Sequence, residues 1–302
     1  MFQALQKKKK NMRTRPLLRA DLPSCADLAA CAFIDNPLYA WLCPHRHAHP
    51  ADFRASQLRE LRARFVRPAY FGFVCVSSDD DDNQGEEVVL GYAFWARMGA
   101  KDTIAAGAGA GTPTNKWWCR RNAGLAAWVE RGLLEVEERY VSFFGLDRSC
   151  DPVVGKAFAN TVAASTYFDP LGDHWHLYTL GVVPERQRKG VGSLLLRWGL
   201  ERAREEGLPV SLISSEEGRK LYAKYGFKVV HWDRLAVENE LVGGAVMVLD
   251  EERRWVRDVG EEERIGRGRW AVEVAWIGAE VEVPREEEKV GMVAEQQQTH
   301  AG

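Results

Sequence analysis

The stretch that most restricts how this chain can fold is HWHLYTLGVVPERQRKGVGSLLLRWGLERAREEG, residues 174–207. Its first ten positions are rich in aromatic and β-branched residues, the pattern of a strand. The part from Val191 onward repeats leucines at helical spacing. Between the two lie Pro184, Arg186, Arg188, Lys189, Gly190 and Gly192, so the poorest helix formers and the densest positive charge stand at a helix mouth. Pro184 ends the strand, and the glycines allow conformations and close approaches that a Cβ would block. The first turn of a helix has amide N–H groups without intrahelical acceptors, and the helix dipole adds partial positive charge there. Strand, basic glycine turn and helix together make a compact anion cradle suited to a diphosphate. A Walker-type loop would require Gly-x-x-x-x-Gly-Lys-Ser/Thr, which is missing. A dinucleotide fingerprint would require a third glycine, and position 195 is Leu.

Composition narrows the class further. Of the 302 residues, 41 are basic and 43 acidic, giving a net charge of -2. No global field draws such a chain to nucleic acid or to a membrane surface. No apolar run approaches the length of a membrane span, and the N-terminus lacks a signal-peptide core. Cys25, Cys31, Cys43, Cys75, Cys119 and Cys150 follow no repeated spacing and are expected to be reduced, mostly buried thiols of an intracellular protein. A cytoplasmic or nuclear location is the resulting expectation.

Three regions follow from texture. Residues 1–13, with the basic run Lys7 to Lys10, are expected to be a disordered leader, and residues 250–302 a charged, largely peripheral extension. Between them, 14–249 read as one domain. A strand is expected at 15–19, a helix at 26–33 capped by Asp21 or Ser24, and a second helix at 53–65. FGFVCVSS and VVLGYAFWARMG around an acidic turn form an antiparallel hairpin. A Gly/Ala-rich loop and a helix over 116–144 precede the strand at 174–183. Then come a strand at 209–214, a short helix with EEGRKLYAKYG, and strands in FKVVHW and GAVMVLD.

LGVVPERQRKGVGSLLL resembles the coenzyme A loop of the GNAT acyltransferase superfamily, Gln/Arg-x-x-Gly-x-Gly/Ala after a strand, with Gln187, Gly190 and Gly192 in those places. A second GNAT hallmark, Leu-Tyr-x-x-x-Gly-Phe on a helix, is matched by Leu221, Tyr222, Gly226 and Phe227. The early RADLPSCADLAACAF and the later RYVSFFGLDRS are similar to a fungal-type group of GNAT-domain proteins. The resemblance implies an α/β (α+β) fold with a twisted, mixed, mostly antiparallel sheet flanked by helices and splayed between its fourth and fifth strands. It implies acetyl-CoA as co-substrate, its pantetheine arm on the backbone of Leu180, Gly181 and Val182. The pyrophosphate would then meet the amides of Arg188, Lys189, Gly190, Val191, Gly192 and Ser193. The implied reaction is N-acetylation of a primary amine on a small molecule or peptide. The alternatives are a non-catalytic acyl-CoA-binding or interaction protein, or transfer of another acyl group or to another acceptor.

In that scheme the Val182 N–H stabilises the oxyanion and Tyr222 protonates the leaving thiolate, against the plainer reading of a tyrosine packed under its helix. Two departures stand out. Ser215 occupies the place of an asparagine that touches the pantetheine arm in many relatives, and the strand Val210 to Ile213 has no carboxylate to serve as base. His174, His176 and Tyr178 share one strand face by period-2 alternation. His176 is thus either the titrating base of an acceptor cleft or a core histidine, with Asp173 a third choice of base. His45, His47 and His49 lack a completing carboxylate or cysteine, and no metal is expected.

Overall fold

The computed structural model describes residues 12–78, 87–99, 122, 124–156, 158, 168, 171–237 and 240–251. In chain order these form β1 (Met12–Pro16), α1 (Leu22–Phe33), α2 (Pro37–Leu42), α3 (Pro50–Phe65), β2 (Tyr70–Ser78) and β3 (Glu87–Met98). After them come α4 (Leu125–Phe143), β4 (His174–Val182), α5 (Val191–Glu206), β5 (Val210–Ser214), α6 (Glu216–Lys224), β6 (Lys228–Val237) and β7 (Glu240–Leu249). The strands make one seven-stranded sheet in the order β1-β2-β3-β4-β5-β7-β6. Every neighbouring pair is antiparallel except β4 and β5.

Alternation along β4 divides the core. Trp175 and Leu177 point toward α5 and join Trp95, Leu195, Leu196 and Leu200 in one cluster. On the other face Tyr92, Phe94 and Val74 meet Cys25, Leu28 and Leu61 of α1 and α3. Helix α5 is positioned by Val191, Leu195, Gly199 and Ala203, its buried positions at steps of four. It stops at Gly207, whose φ of 64° is left-handed, and the Leu208 N–H closes the end on the Ala203 carbonyl at 2.9 Å.

The fold class expected from sequence is present, with shifted element ends. Strand β1 begins at Met12, inside the stretch read as leader. Helix α1 begins at Leu22, and the Asp21 carboxylate accepts from the Leu18 N–H at 2.7 Å and from Arg15. Helix α2 was not anticipated, although Asn36-Pro37 carries its signal: the Asn36 side chain accepts from Leu38 N–H at 3.0 Å, and proline fills the first helical position. The expected acidic turn, the Gly/Ala-rich loop, the first part of the 116–144 helix and most of the C-terminal extension lie outside the described residues.

The reduced state expected for all six cysteines needs correction, because Cys43 and Cys150 form a disulfide. Their sequence separation of 107 hides the pairing, and the backbone creates it. His45 N–H donates to Ser149 O at 3.1 Å and Asp151 N–H to Leu42 O at 3.0 Å, laying the end of α2 beside residues 149–151. Cys25, Cys31 and Cys75 are free thiols. With one pair oxidised, cysteine usage no longer argues for a reducing compartment.

The closest approach between α5 and the sheet lies at Gly199, where an added Cβ would fall inside the Trp95 ring. Trp95 is fully buried and cannot yield. Gly199→Ala is therefore expected to lower unfolding free energy by about 1–3 kcal/mol despite alanine's better helix propensity. Urea denaturation with an unchanged m-value checks it.

Candidate active site

Parallel pairing of β4 with β5 covers only Trp175↔Val210, His176↔Ser211 and Leu177↔Leu212. Beyond Leu177 the strands separate, while β4 continues to Val182 along β3. The Val183 N–H donates to Leu90 O at 3.1 Å and so faces β3. Backbone groups of successive strand residues alternate sides, so Val182 presents its N–H and C=O to the opening. The Gln187 side chain reaches that carbonyl, donating from Nε2 at 3.4 Å.

The chain then turns sharply into α5. A short 3-10 turn, Pro184–Arg186, leads to Arg188 at φ 57° and Gly190 at φ 91°, both left-handed. At Gly190 no atom lies within 4 Å of the place a Cβ would take, so the glycine is required by the turn's conformation and its outer side is open. The Gly190 carbonyl accepts the first helical bond, from Leu194 N–H at 3.1 Å. The N–H groups of Val191, Gly192 and Ser193 thus belong to the first turn and have no intrahelical acceptor. The Val191 side chain is buried and anchors the turn, and Lys189 Nζ donates to Glu185 O at 2.6 Å. At Gly192 a Cβ would stand 3.1 Å from Leu221 and 3.5 Å from Leu180, so the glycine allows α5, α6 and β4 to converge.

Helix α6 brings Tyr222 into the same cluster as Val191, Leu180 and Val182. Tyr222 is buried against Phe227, with ring centroids 5.8 Å apart, and desolvation pushes its phenol above the usual value. It stays a protonated O–H over any physiological pH. Ser215 has a second task, since its Oγ caps α6 by accepting from Gly218 N–H at 3.2 Å.

His176 lies on the opposite face of β4. Its Nδ1 is 2.8 Å from Ser211 Oγ across the last shared turns of β4 and β5, and its ring packs on Phe168 at 5.0 Å and Tyr178 at 4.5 Å. Desolvation first, then the neighbouring His174 and Arg64, lowers its pKa to about 3. His176 is therefore neutral near pH 7 and does not titrate there, unlike the base sought from sequence. Asp173 faces away from this group, its Oδ2 3.2 Å from the Arg97 guanidinium. Sequence reading missed what surrounds His176 on this side: Arg64 lies 5.9 Å over the Tyr178 ring and pairs with Glu60, and Tyr70 stacks on Tyr178 at 4.9 Å. These residues come from α3, β2 and β4, and no spacing in the chain marks them as neighbours.

The site is thus a mixed sheet splayed beside a glycine-opened helix N-terminus. Residues 110–227 match the model of the acetyltransferase (GNAT) family. Similar solved structures include a histone acetyltransferase HPA2 and related acetyltransferase from Corynebacterium glutamicum ATCC 13032, 20% identical over 78% of this chain and 94% of that one, with a TM-score of 0.47. Arabidopsis thaliana NAA60 in complex with acetyl-CoA is 12% identical over 79% and 97%, with a TM-score of 0.38. Salmonella typhimurium yncA with its cofactor acetyl-CoA is 15% identical over 79% and 93%, with a TM-score of 0.37. No curated protein matches the chain. No helix among the described residues is long and apolar enough to cross a membrane.

The depressed pKa of His176 has a sign that can be measured. The folded state holds the imidazole neutral, while the unfolded chain protonates it below about 6.5. Its contribution to stability is complete above pH 6.5 and is lost as pH falls toward 3, at up to about 1.4 kcal/mol per pH unit. Chemical denaturation across that window should give a shallower slope for His176→Gln than for the parent, and equal slopes would refute the assignment.

Proposed function

We propose that the protein transfers an acetyl group from acetyl-CoA to a primary amine of a small molecule or peptide. The observation that carries this reading is the meeting, at one junction, of an unpaired strand edge and a helix N-terminus opened by a left-handed glycine. The backbone groups of Leu180 and Val182, on either side of Gly181, would pair with the amide-bearing pantetheine arm as an added strand does. The first-turn amides from Arg188 to Ser193 would take the pyrophosphate, with Arg188 and Lys189 adding charge. Gln187 fixes the Val182 carbonyl, and the Ser215 hydroxyl proton is free for the arm while its oxygen caps α6.

In the transfer, the amine nitrogen attacks the thioester carbonyl carbon. A C–N bond forms, the carbonyl oxygen gathers negative charge, and the Val182 N–H on the open edge would receive it. Collapse breaks the C–S bond, and the departing thiolate takes the Tyr222 proton. Burial keeps the phenol protonated and at the same time makes it a weaker acid toward the thiolate, so the step rests on its placement rather than its acidity. The amine's own proton goes to solvent, and the Tyr222 phenolate takes a proton back from solvent, which closes the cycle. His176 contributes a neutral, Ser211-bonded wall to the acceptor side, since a group with a pKa of about 3 is a weak proton acceptor at neutral pH.

Calorimetry with acetyl-CoA and turnover on an amine panel test the two halves separately. Gly192→Val should cut acetyl-CoA affinity by about tenfold or more, because its branched side chain must displace Leu221 and Leu180. Tyr222→Phe should retain binding and lose roughly 10²–10⁴-fold in kcat. Absent binding by the parent would overturn the cradle, and an undiminished kcat in Tyr222→Phe would remove the acid.

A further inference from the structure

Residues 99–173 separate two strands that pair directly, with Met98 opposite His174. Antiparallel neighbours can be joined by a two-residue turn, so the sheet itself does not require this excursion. Helix α4 is its longest described element, and it is turned inside out. The charged face is the one docked on the domain. Arg19 donates to both Glu130 oxygens at 2.5 and 2.7 Å, Arg62 pairs with Glu137 at 3.0 Å, and Arg59 with Glu138 at 3.2 Å. Arg131 adds bonds to the carbonyls of Val66 and Asn122 at 3.0 and 2.9 Å. Leu134 is the one buried residue of the helix.

The outward face is apolar. Leu133 is 64%, Val136 63% and Phe143 82% exposed, and Trp128, Val129 and Tyr140 are exposed beside them. Soluble domains rarely show water a continuous apolar face of this extent, over a helix about 28 Å long. Val129, Leu133, Val136, Tyr140 and Phe143 follow one another at steps of four, three, four and three. That 3.5-residue repeat is the seam of paired helices.

We propose that α4 is a dimerisation helix and that its partner is α4 of a second copy of this chain, packed antiparallel about a two-fold axis at Val136. In that register Val129 faces the partner's Phe143, and Gly132 faces the partner's Tyr140. Each bulky ring meets a small residue. Gly132 weakens its own helix relative to alanine, and no atom of its own chain lies within 4 Å of its missing Cβ, so the hollow serves the partner. Charge is self-complementary as well. Glu135 and Arg139 flank the seam on one side, and neither has an ion pair among the described residues. The two-fold axis brings each within a turn of its opposite on the other copy. A lipid surface fits poorly, because α4 carries Glu130, Glu135, Glu137 and Glu138 against only Arg131 and Arg139.

Sedimentation equilibrium on the full-length chain tests this. A mass twice the 34.0 kDa of one chain is expected. Val136→Glu and, separately, Leu133→Glu should weaken association about 30-fold or more while keeping the parent's far-ultraviolet spectrum. Glu135→Arg should also weaken it, and the exchange Glu135→Arg with Arg139→Glu should restore it. A parent that is monomeric at about 100 µM, the outcome if the chain beyond Glu251 covers the seam instead, overturns the proposal. A dimer indifferent to both glutamate substitutions overturns it too, and an exchange that does not restore association overturns the antiparallel register.

Discussion

Parallel strands β4 and β5 stay paired for only three residues each before they part. Everything at the candidate site depends on that early separation. A fully paired β4 would bury its backbone groups in a ladder, and Val182 would have nothing to offer a ligand. A β4 that ended at Leu177 would leave Pro184 and the basic turn without a base. Pairing with β3 resolves the conflict, since the antiparallel ladder holds β4 straight to Val182 on one side while the other side stays open. The edge is tolerable because it is short, lies inside a sheet flanked by helices, and has Gln187 to occupy one carbonyl.

The two faces of that opening have opposite chemistry. On the α5 side lie first-turn backbone amides, a left-handed glycine and a buried phenol. On the other side, His176, Tyr178, Tyr70 and Arg64 form an aromatic and cationic wall in which burial holds the imidazole neutral and pushes the Tyr178 phenol up. A thioester reached from one face and an amine from the other would meet where the strands part. This geometry asks for no strong base on β5, and that strand supplies none. Its inward Ser211 is committed to His176, and Ser214 donates to the Ser215 carbonyl at 2.7 Å.

The strand–turn–helix geometry around Gly190 was readable from sequence because it is set by residues at fixed short offsets. Gln187, Gly190 and Gly192 act through backbone conformation, and a glycine with φ of 91° announces itself in the chain. Tyr222 is likewise tied to Gly226 and Phe227 by the short helix it shares with them. The cluster on the other face was not readable, because Arg64, Tyr70, His176 and Ser211 are brought together by sheet and helix packing across long separations. The Cys43–Cys150 bond was missed for the same reason, as two backbone hydrogen bonds between distant segments create it. Helix α4 was visible as a helix, yet its orientation was not. Periodicity gives an apolar face but cannot say that arginines from α3 and the β1–α1 turn will claim the charged one.

That reversal follows from what α3 offers. Its own apolar positions, Phe53 and Leu61, are spent on the core beneath α1, and its outer surface carries Arg59 and Arg62 with the carbonyl end of the helix nearby. A helix approaching such a surface gains more by presenting glutamates than leucines, because the arginines keep their charge partners and remain partly hydrated. Isolated exposed ion pairs are worth roughly 0–1 kcal/mol each, so several are needed to seat a helix with a single buried leucine. The apolar face is then left over by construction, and its exposure is the consequence of how the insertion is fastened.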